Sequence, residues 1–130
     1  MPRAPGRGEQ GSAVVDFVLV VVVLVPLFLG ILQLALVLHV RNTLTSAASE
    51  GARYAATSDQ GPADGAAKTR EQIGGVLGPS YDDHVVARVI DIGGAPGVEV
   101  VVSATVPALG LGGLAIDLTV RGTAIEELAP

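Results

Sequence analysis

The chain has no cysteine and no tryptophan, a single lysine, and only four aromatic residues: Phe17, Phe28, Tyr54 and Tyr81. Without cysteine there is no disulfide, thiol nucleophile or cysteine-ligated metal. Scarce aromatics and a formal net charge of −5 argue against nucleic acid as a partner. Neither a basic stripe for phosphates nor a stacking platform for bases is present. The most telling absence is local. From Phe17 to Leu38 runs a stretch of 22 residues with no charge at all. As a helix it would reach about 33 Å, enough to cross the hydrocarbon core of a bilayer. Pro26, Gly30 and Gln33 interrupt the run, and membrane helices tolerate all three.

The flanks of this span set an expected orientation. Arg3 and Arg7 precede it with Glu9 the one acid among them, while Arg41 follows it. The excess of positive charge on the first side favours a cytoplasmic N-terminus and an extracytoplasmic C-terminal domain. That domain, residues 39–130, holds 6 basic and 11 acidic side chains.

Three accounts of the N-terminus compete. A secretory signal peptide has an apolar centre of about 7–15 residues closed by a small-x-small cleavage site. Here the run is longer, and Ser46-Ala47-Ala48 lies eight residues past its end. A plain uncleaved anchor explains the length but assigns nothing to Gly11 and Asp16. A prepilin-type leader explains both. In that case a membrane peptidase cuts after a glycine and leaves the apolar helix on the mature protein. A cut between Gly11 and Ser12 makes Asp16 the fifth residue and Phe17 the sixth.

From Gly11 to Ala56 the chain reads GSAVVDFVLVVVVLVPLFLGILQLALVLHVRNTLTSAASEGARYAA. The Gly-Ser-Ala-x-x-acid-Phe opening, Pro26 within the run, Arg41-Asn42 beyond it and the SEGARYAA segment occur in that order. This segment resembles the opening of TadE-like proteins, minor pilins or pseudopilins of the tight-adherence (Flp) type IV pilus system. The resemblance implies cleavage by a prepilin peptidase and assembly with other pilins on an inner-membrane platform. It also implies that Asp16 pairs with the Ser12 amine of a neighbouring subunit. Asp16 departs from the family, which usually has Glu there, by one methylene. Independently of any family, an acid at a helix start is favourable against the macrodipole.

Within the span, Pro26 removes a backbone hydrogen bond and Gly30 follows one turn later. Together they mark a soft point useful for packing, or ordinary membrane-helix composition. Gln33, polar at membrane depth, is a candidate for a hydrogen bond to a neighbouring helix.

Beyond the span, small or apolar residues fall at 40, 44, 47, 48, 51, 52 and 55. This 3–4 spacing predicts an amphipathic helix over 40–56, continuous with the span, whose alanine-rich face lets a partner approach closely. Glu50 and Arg53 are expected to pair on its surface. Thr57 to Gly65 reads as a loop, and a short helix is expected from Ala66 to Leu77. Alternation of period two then predicts three antiparallel strands near 84–92, 98–106 and 114–125. Gly93 to Gly97 would form a five-residue hairpin loop. Asp82, Asp83 and His84 read as a surface turn, with a metal site as the alternative.

The expected fold is therefore α+β, in three parts: a leader over 1–11, a transmembrane helix over 12–38, and a small domain over 39–130. That domain carries the three-stranded antiparallel sheet, on the lollipop plan of pilins and pseudopilins that the resemblance implies. No cofactor, metal site or catalytic constellation is expected. Two histidines, one lysine and scattered acids do not form a cluster for acid–base or nucleophilic chemistry. The expected partners are membrane lipid, other pilins and their assembly platform, and prepilin peptidase. Such a protein would reside in a bacterial cytoplasmic membrane or in the pilus fibre. A membrane-anchored domain that binds an envelope ligand independently of a pilus is the competing function.

Overall fold

The structure, a computed structural model, describes residues 7–57, 59–81, 84–109 and 115–126. One helix dominates it: α1, Arg7–Ala55, is 49 residues long without a break. At 1.5 Å per residue it extends about 74 Å, more than twice the thickness of a hydrocarbon core. Its valine-rich centre has modest intrinsic helix propensity. In lipid, however, only a helix lets one chain segment satisfy its own backbone groups.

A second helix, α2 (Pro62–Leu77), packs against the C-terminal part of α1. It begins four residues earlier than the periodicity predicts. Pro62 at its first position has a φ already suited to a helix and no N–H to leave orphaned. The Asp64 carboxylate also accepts a hydrogen bond from the Gly61 N–H at 2.9 Å, closing the first turn. A short 3-10 turn, Pro79–Tyr81, leads on to the strands.

The sheet has three antiparallel strands in the order β1 (Val85–Ile92), β2 (Ala95–Val106) and β3 (Ile116–Ile125). The β1–β2 connection is tighter than expected. Only Gly93 and Gly94 lie between the strands, with φ of 61° and 91°. Positive φ at both central residues matches the right-handed twist of a hairpin, so the ladder closes directly instead of through a five-residue loop. The Gly94 N–H donates to Asp91 Oδ1 at 2.8 Å. Ala95, Pro96 and Gly97 consequently belong to β2.

Helix and sheet share one core. All seven small or apolar positions of α1, from Val40 to Ala55, are buried. They pack with Ala66, Thr69 and Ile73 of α2, and with Val85, Val98, Val100, Val102, Val106 and Val120 of the sheet. The alanine-rich face thus has a partner within its own chain. α2 covers one side of it and β2–β3 the other.

That packing is close enough to involve backbone. A Cβ on Gly122 of β3 would collide with the main chain at Ala48 and Ser49. A Cβ on Gly51 would collide with the Thr69 hydroxyl. Thr69 is fully buried, and its Oγ1 donates to the Gly65 carbonyl at 2.8 Å. The expected Glu50–Arg53 pair does not form. Among the described residues, ion pairs occur on the outer face of the sheet, where Glu99 meets Arg88 and Arg121.

Candidate functional site: the exposed half of the long helix

The N-terminal half of α1 has no covering element. Sixteen large apolar side chains between Val14 and Leu34 are exposed, including Phe17, Leu24 and Phe28. The helix is long and apolar enough to cross a membrane, and its most apolar stretch has nothing buried against the protein's own domain. Leaving one Val, Leu or Phe in water forfeits about 1.5–3 kcal/mol, so the whole stripe forfeits tens of kcal/mol. A bilayer, or other apolar helices, must surround it.

Gly11, Ser12, Asp16 and Phe17 all lie on this helix and are exposed. Ser12 and Asp16 are one turn apart, about 6 Å along the axis, and therefore share a face. Asp16 makes no hydrogen bond or ion pair among the described residues. Gly11 and Gly30 have no atom within 4 Å of an added Cβ. Packing within the chain therefore gives neither of them a reason to be glycine. Pro26 stands inside the helix, midway along the exposed stripe.

Gln33 departs from the expectation of a bond to a neighbouring helix. Its Nε2–H donates to the Pro107 carbonyl at 3.2 Å, and its Oε1 accepts from the Leu109 N–H at 2.7 Å. The partner is the chain's own segment after β2. Periodicity could not show this contact, because it joins residues 74 and 76 apart in sequence.

Two features of the domain also escaped sequence reading. On the outer sheet face, Arg88 and Glu99 stand directly opposite in the β1–β2 register, with Arg88 Nε 2.9 Å from Glu99 Oε1. The signal for that pair is the two-residue Gly93-Gly94 turn, which fixes 88 opposite 99. A polar cleft at the β2–β3 end is lined by Ser80, His84, Ser103, Thr105, Asp117 and Thr119. There the Thr105 hydroxyl donates to Asp117 Oδ1 at 2.7 Å. His84 is exposed, while Asp82 and Asp83 of the expected turn lie outside the described residues.

The architecture defines a class: a protein with one long apolar N-terminal helix, suited to single-pass anchoring, that runs into a small α+β domain. Residues 11–53 match the family model described as TadE-like protein, the family that the N-terminal motif resembles. The match covers 43 of the 130 residues and ends within α1, so α2 and the sheet lie outside it. TadE-like proteins are associated with the Tad pilus, in which they are structural components rather than known enzymes. No curated protein and no solved structure matches the chain.

Proposed function

We propose that the protein is a membrane-anchored minor pilin or pseudopilin of the tight-adherence pilus system. In this reading it acts through packing of its exposed helix against other pilins. The observation that carries the proposal is the division of α1 into two halves. From Val40 onward its small-residue face is fully occupied by the chain's own α2 and sheet. From Ser12 to Leu32 it is apolar, uncovered and headed by the Asp16 carboxylate, which has no partner among the described residues, within the segment that matches the family.

Each unexplained residue has a role on this account. Gly11 and Ser12 form the cleavage site of a prepilin peptidase, which accounts for a glycine that packing does not require. The new Ser12 amine is mostly protonated at neutral pH, its ordinary pKa being about 7.7–8.0. Asp16 of one subunit meets that amine in the next, so the charge is neutralised as the helices come into register. Gly30, bare of neighbours, gives another helix room to approach the Pro26 soft point. The basic residues ahead of the span keep the N-terminus cytoplasmic and place the domain outside.

The test is co-assembly. Asp16→Ala inserts into the membrane normally but is recovered with other pilins at much lower yield, and Asp16→Glu restores that recovery. Normal co-assembly of Asp16→Ala overturns the role of the carboxylate. If the wild-type domain associates with no pilin or platform component at all, the competing function, an independent anchored binding domain, is favoured.

A further inference from the structure

The contact of Gln33 with the β2–β3 connection has a consequence for where the domain sits. Gln33 falls five residues before the end of the uncharged run, yet it is already tied to the domain by both of its amide bonds. Leu36 and Val37, also in the run, pack on the domain core. The domain therefore overlaps the last turn of the apolar span and is not held clear of it on a stalk.

Distances along the helix make this overlap matter. Gln33 lies 17 residues beyond Asp16, an axial rise of about 26 Å, against a hydrocarbon core of about 30 Å. If Asp16 stays at one edge of that core, the other edge falls about 4 Å beyond Gln33, level with the start of the β2–β3 connection. Whatever occupies that level must suit an apolar boundary. From Pro107 to Ile116 the chain has no charged residue, and Leu109 and Ile116 are 38% and 37% exposed. Val106 and Ile116 form the last pair of the β2–β3 ladder, and Asp117 with Thr105 forms the next pair inward. Polarity thus begins one residue pair above the connection.

The orientation of the sheet agrees. Pro107 meets Gln33, while Gly122, opposite Val100, meets Ala48. Fifteen helix residues rise about 23 Å and seven strand residues cover about the same, so β2 runs back along α1 toward the span. The β1–β2 turn points away, and the β2–β3 end points at the bilayer.

The geometry points to a membrane-seated segment directly after β2. On the reading that α1 spans a bilayer, Pro107 to Leu109 rests in the lipid interface with Leu109 at the headgroup–acyl boundary. Gln33 fixes its depth. The carboxamide nitrogen and oxygen each have a partner in backbone of this segment, which lowers the cost of carrying them into the boundary. The occupant of this surface is lipid, continuous with the lipid around the span.

The chain has no tryptophan, so one introduced indole reports on one position. Leu109→Trp, Thr123→Trp and Val22→Trp are each prepared as full-length protein in phosphatidylcholine vesicles, with and without brominated acyl chains. Thr123 is exposed on β3, seven residues beyond Ile116, and serves as the distal control. The expected result is blue-shifted emission and strong bromolipid quenching for Leu109→Trp, with red, unquenched emission for Thr123→Trp. Water-like, unquenched emission from Leu109→Trp overturns the proposal. Blue-shifted but unquenched emission also overturns it, because protein and not lipid then covers the loop. Equal quenching at positions 109 and 123 means that the domain lies flat on the surface, again contrary to the proposal. Val22→Trp reports on the span itself: its failure to quench contradicts membrane insertion instead. A bimane fluorophore on Leu109→Cys, in a chain with no other cysteine, repeats the measurement with a different substitution.

Discussion

Gly51 of α1 and Gly65 of α2 face each other at the crossing of the two helices. A Cβ on Gly51 would lie 2.8 Å from the Gly65 carbonyl oxygen, and one on Gly65 would lie 2.7 Å from that of Gly51. Each glycine is thus the space that the other's backbone occupies. The Thr69 hydroxyl completes the crossing, donating to the Gly65 carbonyl at 2.8 Å with the Ala47 carbonyl 3.4 Å away.

Gly51→Ala and Gly65→Ala are therefore each expected to lower the stability of the domain by about 1–3 kcal/mol, the usual cost of overpacking. Gly75→Ala is the matched control. It lies in α2 with nothing within 4 Å of an added Cβ. There alanine should add about 0.5–1 kcal/mol by helix propensity alone. Denaturant unfolding of the three variants in detergent distinguishes a crowded glycine from a merely helical one.

The same logic applies at the other side of α1. Gly122→Ala pushes β3 off the backbone of Ala48 and Ser49, so it should destabilise by a similar amount, at least about 1–3 kcal/mol. Gly30→Ala, on the uncovered part of the helix, should leave the unfolding midpoint unchanged. A loss of pilin co-assembly in Gly30→Ala with normal folding would place its importance between subunits.

The β1–β2 hairpin makes a prediction about backbone. Gly94, at a φ of 91°, has open space around it, so Gly94→Ala meets strain and not collision. A loss of about 1–2 kcal/mol is expected. Gly93→Asn should be nearly neutral, because asparagine suits the first position of such a turn.

On the outer face, the Glu99 side chain is only 10% exposed, whereas Arg88 and Arg121 are 59% and 62% exposed. Glu99→Ala frees two arginines that water can solvate. The expected cost is about 1 kcal/mol or less, in the range of cross-strand ion pairs. A double-mutant cycle with Arg88→Ala should give most of that as coupling, and it should shrink in high salt.

Much of this architecture could be read from residue order. A charge-free run predicts the span, 3–4 spacing from Val40 to Ala55 predicts the buried helix face, and alternating residues predict three strands. These are local patterns with fixed periods. The discrepancies lie where two distant segments decide the outcome. Alanine and glycine on α1 announce close approach, but nothing local says that α2 and β3, not another subunit, make it. Gln33 announces a polar need within an apolar run, yet its partners are Pro107 and Leu109. At Gly93-Gly94 the signal is local but points to a longer loop, because Pro96 and Gly97 resemble loop residues until they pair with Asp91 and Ile90. Of the candidate site, the sequence motif at Gly11 to Phe17 was visible at once. That Asp16 has no partner among the described residues is visible only with the helix in place.

The central claim is that the exposed helix begins, in the mature protein, with a free amine at Ser12 that a neighbour's Asp16 can meet. The measurement that tests it most directly is intact mass with N-terminal sequencing of the protein extracted from membranes of its native host. The account predicts a mature chain beginning at Ser12 and accumulation of the uncut form in Gly11→Val. A chain that keeps residues 1–11 while pili assemble normally would contradict it.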